Sequence, residues 1–209
     1  LSADGVPVVI HDATVDATTD GSGPVAALTL AQLKRLDAGT HFAPQFVGET
    51  IPTLEEVLTT FGHRLLLNVE LKSTSLRDDG LERAVMAQIS RHDMTDRVLI
   101  SSFNPFALRR AKQLAPHVSA GLLYAPDLPL PLRRAWLAFV APHEARHPQH
   151  TMVDAQYVAW ARRRGYRVHP WTVDDVAEMK RLVGLGVDAV ITNRPDLLRD
   201  LLASAMGES

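Results

Sequence analysis

The stretch "VPVVIHDATVDATTDGSG", residues 6 to 23, breaks from apolar, mostly β-branched residues into His11-Asp12 and then into a polar run of Thr, Asp and Gly. An imidazole beside a carboxylate at the end of an extended segment is equipped for proton transfer; the same pair also reads as a capped strand end with a satisfied histidine. A second chemical signal lies in "LLLNVELK", residues 65 to 72. Glu70 and Lys72 stand two residues apart in an otherwise apolar strand, hence on one face of it. Burying either charge alone is costly. The two can pair with each other, or the carboxylate can bind a divalent metal while the ammonium holds an anion such as a phosphate ester. Trp171, at the end of "HPWT", is either core packing or a wall for the apolar part of a ligand.

These residues need elements to carry them. Short apolar runs at 64–71, 97–103, 118–124, 166–172 and 188–193 read as strands, with amphipathic helices between them. Thr53-Leu-Glu-Glu56 has the capping-box pattern, and Asn104-Pro105 is a cap followed by a first-turn proline. Gly165 and Gly186 mark helix stops just before strands. Arg162 to Arg164 close a helix, where cations suit the dipole. Strand runs apolar on both faces and separated by helices predict a parallel sheet covered by helices. That pattern fits most of a (β/α)8 barrel and also an open doubly wound sheet. Residues 12–52 carry no barrel strand, only turn punctuation and one short helix around "LTLAQLKRLD", and are expected to form an insertion. Asp4-Gly5 marks a tight turn, and the Pro-rich 125–137 reads as a loop leading into a helix. In a parallel barrel the strand ends that carry His11, Glu70, Lys72, Phe103 and Trp171 open on the face that hosts chemistry.

Composition narrows the classes. The chain has 209 residues, 46% hydrophobic and 22% charged, with a formal charge of −2, so it is expected to form a single domain over 1–209 that does not bind nucleic acid. With no cysteine it has no disulfide, thiol nucleophile or Cys-ligated metal. No run has the length of a membrane span or the form of a signal peptide, and the cytoplasm is the expected compartment. Walker, Rossmann and nucleophile-elbow motifs are absent. His143, His147 and His150 in "PHEARHPQH" have spacings that would allow zinc, but Pro142 and Pro148 oppose the regular helix that would align them.

Taken together, "DGVPVVIHDATVDATTDGSGPVAALTLAQLKRLDAG", "IPTLEEVL", "NVELK", "VLISSFNP", "PWTVDD" and "GVDAVITNRPD" resemble, in order, the glycerophosphodiester phosphodiesterase family. The likeness covers nearly the whole chain and is weakest between 125 and 165. It implies an α/β (β/α)8 TIM barrel with a small insertion after the His-Asp motif. It also implies hydrolysis of glycerophosphodiesters, small-molecule substrates, to sn-glycerol 3-phosphate and an alcohol with Ca²⁺ or Mg²⁺. By the same resemblance His11 matches the second of two catalytic histidines and Glu70 a metal carboxylate. Lys72 matches the residue that approaches the phosphate, Phe103 and Trp171 match aromatic positions of the pocket wall, and Asp12 is an orienting residue. The family's H-R-G strand, with the first histidine, and its E-x-D strand, with two further carboxylates, do not occur among the 209 residues. The expectation is an N-terminally incomplete barrel, missing its first strand–helix unit, that is inactive as a piece. The alternative is a non-catalytic barrel that binds a phosphate ligand.

Overall fold

The computed structural model describes residues 1–73, 75–129 and 135–207. The chain divides into two compact units, Leu1–Leu99 with Gln113–Val118, and Ile100–Lys112 with Ser119–Ser209.

In the first unit Ser2 to Val6 form a turn, with Gly5 at φ +81° as the position that requires glycine. The strand expected over residues 6–10 is reduced to one antiparallel bridge, Val8 with Thr53. Val9 N–H donates to Pro52 O and Leu54 N–H to Pro7 O, so this apolar run is spent on tying the start of the chain to the entrance of a helix. Residues 12–52 pack around a small core that Val8 and Ile10 also join. Val15, Val25, Leu33 and Ile51 are buried together, around the short helix α1 (Leu30–Leu33), which Thr29 and Gln32 close with a capping box. Asp37 accepts from the backbone N–H groups of Gly39, Thr40 and Gly48 and from the Thr40 hydroxyl. These bonds hold its carboxyl well below the usual carboxylate range.

Helix α2 (Leu54–Phe61) starts at Thr53 with the capping box read from the sequence. Strand β1 (Leu67–Glu70) follows, then α3 (Leu81–Arg91) and the start of β2 (Val98–Ser102). β1 and β2 are neighbours, and Leu67 N–H donates to Arg97 O at 2.9 Å.

The second unit holds the rest of β2, then β3 (Ser119–Tyr124), β4 (Ala145–Pro148) and β5 (Arg167–Val168), in that order across the sheet. β3–β4 and β4–β5 are parallel. Helices α4 (Pro105–Leu114), α5 (Ala155–Arg163), α6 (Val176–Leu185) and α7 (Pro195–Gly207) alternate with the strands or follow them. Asn104 caps α4 by accepting from Phe106 N–H, and Gly186 stops α6 at φ +75°. The core gathers Val153, Val158, Ala161, Val168, Val173, Met179 and Leu182.

Three strand expectations change here. β4 lies in "ARHP", where no apolar alternation announces it, because two of its four buried residues, Arg146 and His147, are polar and sit beside partners distant in sequence. Arg146 lies over the Tyr166 ring at 4.5 Å and His147 against His169. The 166–172 strand stops at Val168, two residues before Pro170, which has no N–H for the ladder. Residues 188–193 keep strand-like bonds without forming a regular strand: Asp188 N–H donates to Val168 O, Ile191 N–H to Pro170 O, and Val173 N–H to Ile191 O. Of the 125–137 loop, residues 130–134 lie outside the described residues, and Trp136–Val140 form a 3-10 turn. Among the described residues no helix is long and apolar enough to cross a membrane.

On α6, Arg181 donates to both oxygens of Glu178, at 2.6 and 2.7 Å, and His150 Nδ1–H donates to the same carboxylate at 2.7 Å. These donors, Arg181 first, hold the Glu178 carboxyl at about 2, against an ordinary 4.5. The unfolded chain therefore takes up this proton at higher pH than the folded one, so the contribution is complete above about pH 4.5 and disappears as pH falls towards 2. Glu178→Gln is expected to flatten the fall of Tm across that window relative to the wild type; thermal scans with identical slopes for the two proteins would contradict it.

Candidate active site

In the first unit, His11 Nδ1–H donates to Asp12 Oδ1 at 2.7 Å. A carboxylate can only accept, so this bond puts the ring proton on Nδ1 and leaves Nε2 as the free nitrogen. The His11 side chain is 79% exposed, so that nitrogen is open to a partner from solution. Glu70, the last residue of β1, is paired with Lys72: Nζ to Oε1 is 3.1 Å, with the carboxylate 30% and the ammonium 43% exposed. The pair that the sequence left open as one of two outcomes is thus formed, and both ends keep access to solvent. Among the described residues no group of three or more His, Cys, Asp or Glu side chains is placed to hold a metal.

In the second unit, Phe103 follows directly on β2 and Trp171 lies three residues past β5. Their rings meet edge to face, centroids 5.5 Å apart and planes at 88°, the arrangement that ring quadrupoles favour. The Trp171 indole N–H donates to His147 O at 2.7 Å. So the site residues read from the sequence fall into a His11–Asp12 pair, a Glu70–Lys72 pair and a Phe103–Trp171 pair.

The three histidines of "PHEARHPQH" do not converge. His143 stacks on Tyr166 and bonds Ala141 O, His147 is fully buried beside His169, and His150 serves Glu178. This removes the structural basis for a zinc cluster there.

Two features escaped the sequence reading. Asp174, in "WTVDD", accepts from the Thr192 hydroxyl and from the backbone and side-chain N–H groups of Asn193, at 2.8 to 3.0 Å. Asn193 above all keeps its carboxyl below the usual range. It thereby fastens the "PWTVDD" turn to the "ITNRPD" segment. The other is the buried His147–His169 contact. Its signal was present as a repeated His-Pro, 147–148 and 169–170, at the ends of two adjacent strands.

Comparison with known proteins gives a consistent result. The family described as "Glycerophosphoryl diester phosphodiesterase family" matches residues 1–197. A glycerophosphodiester phosphodiesterase of Caldanaerobacter subterraneus subsp. tengcongensis is 40% identical over 203 residues, covering 97% of this chain and 82% of that protein. One of Bacillus subtilis is 34% identical over 212 residues, covering 94% and 72%. Among solved structures, an Oleispira antarctica phosphodiesterase in complex with the product sn-glycerol-3-phosphate matches with a TM-score of 0.83 at 32% identity, covering 97% of this chain and 82% of that one. These neighbours have the TIM-barrel fold, and the parallel strands alternating with helices fit it.

The Asp12 contact makes a direct prediction. Asp12→Ala is expected to shift the neutral His11 ring from the Nδ1–H towards the Nε2–H tautomer, read from its ring ¹⁵N shifts. An unchanged tautomer ratio would remove Asp12 as the orienting group.

Proposed function

Because the chain belongs to the glycerophosphoryl diester phosphodiesterase family, we propose that it is a phosphoric diester hydrolase that splits glycerophosphodiesters into sn-glycerol 3-phosphate and an alcohol. The observation that carries this reading is the family match over residues 1–197, joined by the 0.83 TM-score to a phosphodiesterase that holds sn-glycerol-3-phosphate as product. The cytoplasm is proposed as its compartment, in keeping with a small, water-soluble substrate.

The roles proposed for individual residues rest on the motifs and on their local geometry. His11 is the acid/base residue. With its Nδ1–H engaged by Asp12, Nε2 is the nitrogen that takes a proton from the attacking hydroxyl or, once protonated, gives one to the departing alkoxide. The nucleophile is water, or the glycerol hydroxyl next to the phosphate; in the second case a cyclic phosphodiester forms as the alcohol leaves, and water then opens it to sn-glycerol 3-phosphate. The Lys72 ammonium meets the non-bridging phosphate oxygens and stabilises the negative charge that grows on them. Phe103 and Trp171, already packed against each other, form an apolar wall for the substrate's carbon skeleton.

Enzymes of this family generally depend on a divalent metal, and Ca²⁺ or Mg²⁺ is the cation proposed, with Glu70 as a carboxylate ligand. Hard cations of this kind usually take several oxygen ligands. Glu70 stands 3.1 Å from the Lys72 ammonium, and the described residues supply no group of three or more metal-binding side chains. By themselves they do not fit such a cation.

The test is turnover in a chain that also carries the family's H-R-G and E-x-D segments. His11→Ala is expected to leave the circular dichroism spectrum unchanged and to lower release of sn-glycerol 3-phosphate from glycerophosphocholine by about a hundredfold or more. Near-normal turnover in the variant would take His11 out of the mechanism. A wild-type protein that binds sn-glycerol 3-phosphate but turns over no diester would replace the hydrolase with a phosphate-ligand binder.

A further inference from the structure

We propose that His147 and His169 form a buried brace that positions Trp171, and with it the apolar wall that Trp171 and Phe103 offer the substrate. The substrate clause rests on the role proposed above for Trp171; the brace itself rests on geometry within one unit.

The ladder between the 145–150 and 167–171 segments is thinned where it leaves the regular strands. His169 N–H donates to Arg146 O at 2.8 Å, Trp171 N–H to Pro148 O at 3.1 Å, and His150 N–H to Trp171 O at 3.0 Å. Pro148 has no N–H to add. One residue before Pro148 and one before Pro170, a side-chain bond crosses the same two segments: His147 Nε2 and His169 Nδ1 are 3.0 Å apart. The two rings are tilted at 42°, centroids 4.8 Å apart. His147 then serves Trp171 a second time, through its carbonyl, which accepts the indole N–H at 2.7 Å. One residue thus holds both the neighbouring strand and the aromatic ring.

The direction of the His–His bond follows from what surrounds His147. Its side chain is fully buried, and among the described residues its Nδ1 has no hydrogen-bond partner. A buried N–H without an acceptor costs more than a lone pair without a donor. The proton therefore sits on His147 Nε2 and is donated to His169 Nδ1, and His169 carries its own proton on Nε2. Both rings are neutral, since burial pushes the ionisation of each down, that of His147 to about 3. Space for the brace comes from β3: a Cβ on Gly121 would overlap the His147 imidazole, so the strand leaves a seat that only glycine provides. A bond between neutral partners in a fitted seat suits a positioning part; neither ring needs to reach the substrate.

The experiment uses the full chain labelled with 5-fluorotryptophan. Its three tryptophans give separate ¹⁹F resonances, and Trp171→Phe assigns that of Trp171. His147→Leu, of similar size but without the N–H, is expected to move or broaden the Trp171 resonance and to weaken binding of sn-glycerol 3-phosphate about tenfold, the scale of one lost hydrogen bond. His147→Gln, which keeps a side-chain N–H donor, is expected to bring both readings most of the way back. A Trp171 resonance in His147→Leu that coincides with the wild type overturns the brace, as does a Gln variant no better than Leu. If Trp171→Leu binds sn-glycerol 3-phosphate as well as the wild type, the substrate role of Trp171 falls, while the resonance still decides the brace.

Discussion

A carboxylate and an ammonium at the end of an apolar strand, Glu70 and Lys72, stand 3.1 Å apart with both heads half open to solvent, and that pairing governs what the strand can offer a ligand. Each head still reaches water, so the pair contributes only about 1 kcal/mol or less. The two remain exchangeable: an incoming phosphate can compete for the ammonium, since its oxygens accept the same hydrogen bonds as Glu70 does. The phosphate role proposed for Lys72 depends on this balance.

The same constraint repeats through the second unit. Lys112 is buried against Glu144 at 2.8 Å, and Glu144 also takes the Ala120 N–H. Arg146 lies between aromatic faces, and His147 faces His169. Each of these side chains has a partner in the interior, while His147 Nδ1 and Arg146 Nε have no hydrogen-bond partner among the described residues. Such contacts are specific in geometry, so they fix strand ends and turns more tightly than apolar packing alone. They also explain why aromatic residues at two strand ends can hold a defined edge-to-face contact.

Much of this was legible in the sequence, for physical reasons. Capping at Thr53 and Asn104 and the stop at Gly186 are local hydrogen-bond chemistry, so the residues that make them are adjacent in the chain. Strands β2 and β3 are buried and apolar, and announce themselves. The turn punctuation after His11-Asp12 was visible, and residues 12–52 pack on a small core that Val8 and Ile10 join. What stayed hidden depends on partners distant in sequence. β4 is built from Arg146 and His147, whose burial makes sense only beside Tyr166 and His169. The 6–10 run looked like a sheet strand because β-branched residues favour one, yet its bonds go to residues 52 to 54. Of the site, the Glu70–Lys72 pair could be read from a spacing of two. The bracing behind Trp171 could not, because it joins two strands through histidines that each look ordinary alone.

The central claim is that the Lys72 ammonium, kept at the end of β1 by Glu70, is the anchor for a phosphate. Titration calorimetry of sn-glycerol 3-phosphate against the wild type and Lys72→Met tests it most directly. The expected result is binding at least about tenfold weaker in the variant, the scale of a lost charge-assisted hydrogen bond. Equal dissociation constants for the two proteins would contradict it.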